Sequence, residues 1–166
     1  MSFSTQPRLV QSLPGGLING VINGAISWSA FRGSAEVPLS VDSIASPGIT
    51  ALGNAATMVF GLTLILTSIT FFTFRAAARK SGNAPAAVTG LGFWPTGLRL
   101  ALRNTLLAFG GFIALAVMWQ RYAGTVLVGP LSATLVVAGV AVVASMLAEW
   151  WTKTEMLDAG RPALGR

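Results

Sequence analysis

Four apolar runs, parted by short polar or Gly/Pro-rich breaks, organise the chain, and each approaches the length a helix needs to cross a bilayer. A polar segment over 1–15 ends in Pro14-Gly15-Gly16, which breaks the chain before the first predicted helix at 16–31. The loop 32–47 ("RGSAEVPLSVDSIASP") closes on Ser46-Pro47, an N-cap residue followed by proline at the first helical position. A second helix is therefore expected over 48–74, stopped by Arg75, Arg79 and Lys80. Residues 81–92 read as a Gly/Ala/Pro loop, and Phe93-Trp94-Pro95-Thr96 sets an interfacial aromatic pair ahead of a third helix at 96–119. The purely apolar part of that helix is only residues 105–119, so Arg99, Arg103 and Asn104 belong near one interface. After a short turn at 122–128, Gly129-Pro130 starts or kinks a fourth helix at 129–151, and a polar tail, 152–166, is expected to fray or lie on the surface. The expected fold is all-α, a four-helix transmembrane bundle.

Composition agrees with the pattern. Hydrophobic residues make up 53% of the chain and charged residues 10%, far below the roughly 25% of a soluble domain. With no cysteine there are no disulfides, thiolate metal sites or iron–sulfur clusters, and with no histidine the usual haem and zinc ligands and the base of a Ser–His pair are missing. The expectation is a non-enzymatic protein with no cofactor. A net charge of +6 in a polytopic chain reports topology and contact with anionic lipid head groups rather than nucleic acid, since no exposed stacking aromatics interleave with the cations.

The basic residues also orient the chain. With the 75–103 connection in the cytoplasm, Arg8, Arg75, Arg79, Lys80, Arg99, Arg103, Lys153, Arg161 and Arg166 lie inside, and only Arg32 and Arg121 outside. The positive-inside rule then predicts both termini in the cytoplasm, an N-in/C-in arrangement. Trp28, Trp94, Trp119, Trp150 and Trp151 all fall at predicted helix ends, as an interfacial aromatic belt requires. A signal peptide is the rival reading of the first run, with Gly33 and Ala35 small ahead of Glu36, but Asn19 and Asn23 interrupt its apolar core.

Those two asparagines are the unusual feature. On a helical wheel Asn19, Asn23 and Ser27 fall within about 80° of one another, and Gly16, Gly20 and Gly24 continue the same sector. Such a face suits close approach of a second backbone, and an amide in hydrocarbon needs a partner because no water satisfies it. Thr50, Asn54, Thr57, Gly61 and Ser68 form a comparable stripe on the second helix, at a depth that lets Asn23 meet Asn54 in an antiparallel hairpin. Two readings stay open: interhelical hydrogen bonding, or a polar path for a small solute or ion lined by Asn19, Asn23 and Asn54.

Arg32 and Asp42, with Glu36, sit in the outer loop, where nothing at recognisable spacing would activate water. Glu149, at the inner end of the fourth helix, is the expected partner of Arg99 or Arg103.

The segments "LINGVINGAISW" and "VPLSVDSI", followed by a helix ending in "TFFTFRAAARK", resemble a group of uncharacterised bacterial multi-pass membrane proteins with an N-terminal Asn-Gly repeat and a Val-Pro-Leu-x-x-Asp-Ser-Ile loop. The resemblance covers residues 15–80. It implies a bacterial origin, hence the inner membrane, and marks Asn19, Asn23 and Asp42 as motif positions. The expected function is association, as a homo-oligomer or with other membrane subunits; the alternative is a channel or transporter.

Overall fold

A computed structural model describes residues 8–41, 48–82 and 86–159. Its elements are a 3₁₀ turn at Leu9–Ser12, α1 (Leu13–Phe31), β1 (Val37–Leu39), α2 (Ala51–Ser81), a short α3 (Ala86–Gly90), a π-turn at Phe93–Gly97, α4 (Leu98–Ala123), β2 (Val126–Val128) and α5 (Pro130–Ala159). Three stretches, Ala51–Ser81, Phe93–Ala123 and Pro130–Ala159, are long and apolar enough to cross a membrane. The chain is a multi-pass membrane protein. α1 is not among these three, because its asparagines and glycines dilute an otherwise apolar run; at 19 residues it is still about 28 Å long, close to a hydrocarbon thickness.

Several boundaries differ from expectation, each for a local reason. Pro14 does not break the chain, because it occupies the first turn of α1, where its missing N–H has no carbonyl to serve. The side chain of Thr50 caps α2 by accepting from the Gly53 N–H at 3.2 Å; the expected Ser46-Pro47 cap lies outside the described residues, as does Asp42. α2 runs on past Phe74, and Arg75 and Arg79 both donate to the Thr89 carbonyl at 3.2 Å, fastening α3 beneath it. α5 does not end at Trp151. It continues to Ala159 because Thr152, Met156 and Leu157 are buried against the neighbouring helices.

α5 is the shared element. It packs α1 on one side and α2 on another, while α4 leans on α2 and meets α5 only briefly. Residues at four-residue spacing make both seams. Ala51, Ala55, Val59, Thr63, Thr67 and Phe71 form the buried ridge of α2, and Ala133, Val137, Ala141, Ser145, Ala148, Thr152 and Met156 that of α5. Such i±4 ridges with small side chains let helices approach closely without a hydrophobic driving force from lipid. Larger side chains gather at the two ends, Phe31 with Val37 and Val137 at one, Phe71 with Leu100, Met156 and Leu157 at the other.

At the Phe31 end β1 and β2 pair antiparallel, Val37 opposite Val128 and Leu39 opposite Val126. This two-stranded clip ties the α1–α2 loop to the α4–α5 loop. The Val41 N–H also donates to Gln120 Oε1 at 3.1 Å.

Candidate functional site

The glycine face of α1 makes a close backbone approach to α5. Gly16, Gly20 and Gly24 are buried against α5 rather than α2, while Ser27, also buried, meets α2 through its hydroxyl. A Cβ added at Gly20 would lie 2.5 Å from Val142 Cγ2 and 3.2 Å from the Ala138 carbonyl oxygen, and one at Gly24 would lie 3.2 Å from Ala138 Cβ. Only glycine admits this approach. Asn19 and Asn23 flank the seam, half-buried, and their Nδ2 groups donate down their own helix, to the carbonyls of Gly15 at 3.0 Å and Asn19 at 2.9 Å.

The expected Asn23–Asn54 pair is therefore not formed. Asn54 Nδ2 instead donates to Ser27 Oγ at 3.0 Å, one turn further along α1, because α1 and α2 are both held by α5 and scarcely touch elsewhere. Thr57 is exposed and donates to the Gly53 carbonyl at 3.3 Å. Sequence reasoning missed the buried hydroxyls of Thr63, Thr67, Asn104's neighbour Thr105, and Ser145; their signal was the four-residue ridge, which the more conspicuous asparagines masked.

The inner ion pairs are also redistributed. Arg103 pairs with Glu155, not Glu149, because α5 extends beyond the expected end and carries Glu155 to the level of Arg103. Glu149 pairs with Lys153 one turn along its own helix and faces α1, where a Cβ at Gly15 would lie 3.4 Å from its Oε2. Arg99 is exposed, as is Arg32. Next to the Arg103 pair, Asn104 Nδ2 is buried and donates to Thr152 Oγ1 at 3.5 Å, while Thr152 Oγ1 donates to the Ala148 carbonyl at 2.6 Å.

Among the described residues, clefts open where helices that share a support meet little or not at all. The larger, about 630 Å³, lies between α4 and α5 over Leu52 and Val59 of α2, with Trp119 at one end and Trp151 at the other. Leu107, Gly111, Leu115, Gly139 and Val143 line its walls, so it is apolar throughout. The smaller, about 440 Å³, opens between the start of α1 and the end of α2 over α5, and it brings together Asn19, Thr70, Thr73, Ser145, Glu149 and Lys153. Asn19 and Glu149, expected in separate sites, share this one. Among the described residues no group of acids, histidines and cysteines has the arrangement a metal needs. No family model, curated protein or solved structure matches the chain.

Proposed function

We propose that the protein is a non-enzymatic, four-span membrane protein of the bacterial inner membrane that acts by association, as a homo-oligomer or a small subunit of a larger membrane assembly. The observation that carries this reading is the apolar α4/α5 groove. It runs between Trp119 and Trp151, and Gly111 and Gly139 line its walls. A transmembrane helix seats by dispersion contacts and close backbone approach, for which a long groove with glycine walls is suited. Gly110, Gly111 and Gly139 have no neighbouring atom within 4 Å of where a Cβ would stand, so the surface has room for another backbone.

The path reading along Asn19, Asn23 and Asn54 has weaker support, since all three amide nitrogens are engaged in bonds within the fold. The chain carries no cysteine, so single cysteines can be introduced directly. Gly111→Cys and Val143→Cys should cross-link to a neighbouring subunit in native membranes, whereas Val21→Cys on the outward face of α1 should not. Cross-linking at Val21 alone, or at none of the three, would sink the association reading.

A further inference from the structure

We propose that the cleft between α1 and α2 is a binding site for an amine-bearing zwitterionic phospholipid, occupied by its phosphoethanolamine head group. The site is independent of the groove assigned to association.

Four observations converge. First, Asn19 is half-buried on the cleft wall and donates through Nδ2 to the Gly15 carbonyl, which leaves its Oδ1 to accept from a ligand. Second, the space is about 440 Å³, many times the roughly 30 Å³ share of a single water. Third, the charges at the wall are one of each sign: Glu149 and Lys153, paired and both partly exposed to the cleft. A lone anion would meet the Glu149 carboxylate and a lone cation the Lys153 ammonium, whereas a ligand with both charges serves both. Its ammonium donates to Glu149 and to the side-chain oxygen of Asn19. Its phosphate accepts from the Lys153 N–H groups that Glu149 leaves over.

Fourth, the position fits a lipid rather than a solute. The cleft lies within about two turns of Arg75 and Arg79 on α2, at the end where basic residues mark the interface. On the α2 wall Leu66 and Ile69 lie one to two turns deeper than Thr73 and Ala77, so acyl chains have an apolar surface toward the bilayer centre. Ile69 and, beside the cleft on α1, Ile18 and Ile22 are exposed, so entry is sideways from the membrane.

The chemistry predicts a ranking. A choline head group has no N–H to donate to Glu149 or Asn19, and a glycerol head group brings an anion with no ammonium for Glu149. Native mass spectrometry of the full chain, released from micelles doped equally with phosphatidylethanolamine, phosphatidylcholine and phosphatidylglycerol, tests it. The ethanolamine lipid should be retained about tenfold over either competitor, the ratio that a lost charge-assisted hydrogen bond implies. Glu149→Gln should abolish the preference for the ethanolamine lipid, Asn19→Ala should weaken it partially, and Thr57→Ala, outside the cleft, should change nothing. Equal retention of the three lipids by the wild-type chain, which needs no variant to fold, would overturn the proposal. So would an unchanged ranking in a folded Glu149→Gln protein, or displacement of the lipid by millimolar free phosphoethanolamine, which would make a soluble zwitterion the ligand.

Discussion

At the scale of single residues, the same substitution should act with opposite sign at two glycines. Gly20→Ala inserts a methyl group into the α1–α5 seam, 3.2 Å from a backbone carbonyl that cannot rotate away, and should cost about 1–3 kcal/mol of stability by overpacking. Gly110→Ala, on the open face of α4, meets nothing and should gain up to about 1 kcal/mol from helix propensity. Steric-trap or denaturant unfolding in micelles reads both, and equal effects would mean that α1 is not seated on α5. The asparagines divide in the same way. Asn54→Ala breaks the only interhelical amide bond of the three and should cost about 0.6–2 kcal/mol, while Asn23→Ala, which loses a bond within its own helix, should be close to neutral.

Elements extend beyond what their polarity announces. "TKTEMLDA" after Trp151 reads as a polar tail, yet it forms the last two turns of α5, with Met156 0% exposed against Phe71 and Leu100. Met156→Ala should therefore destabilise by about 2–5 kcal/mol, whereas a frayed segment would show almost no change in the unfolding midpoint. The Arg103–Glu155 pair belongs to the same packing. Removing Glu155 leaves Arg103, already partly exposed, free to reach a lipid phosphate, so Glu155→Gln should cost under about 1 kcal/mol.

At the scale of the whole molecule, labelling reads how many times the chain crosses the membrane and in which direction. Four spans with both termini inside put the 82–92 connection and the β1 loop on opposite sides. Ser34 is exposed and Ser81 half-exposed, whereas Ser40 is buried under the two-stranded clip, so positions 34 and 81 are the ones to label. Ser34→Cys should react with an impermeant maleimide from outside the cell, and Ser81→Cys only after permeabilisation. Labelling of both from one side would leave α1 lying at the interface and the chain with three spans. The polar cleft would then open toward water rather than lipid.

What the chain dictates by itself is its solvent and its helices. Runs of apolar residues near bilayer length, few charges, and tryptophan and arginine at the run ends are local signals, and local backbone satisfaction in hydrocarbon permits little except helix. The small face of α1 was legible on the same ground, since glycines four residues apart exist only where a backbone comes close. Which backbone comes close was not. An antiparallel hairpin between α1 and α2 and a seam between α1 and α5 satisfy the same periodicity, and only the summed fit of Gly20 under Val142, Ala138 beside Gly24 and the shared ridges of α5 chooses between them. That choice moved Asn54 onto Ser27, while the extension of α5 gave Arg103 to Glu155. It also left Glu149 and Lys153 sharing a cleft with Asn19, because a helix that packs two neighbours on separate faces holds them apart, and the gap between them is a property of three elements that no one segment encodes.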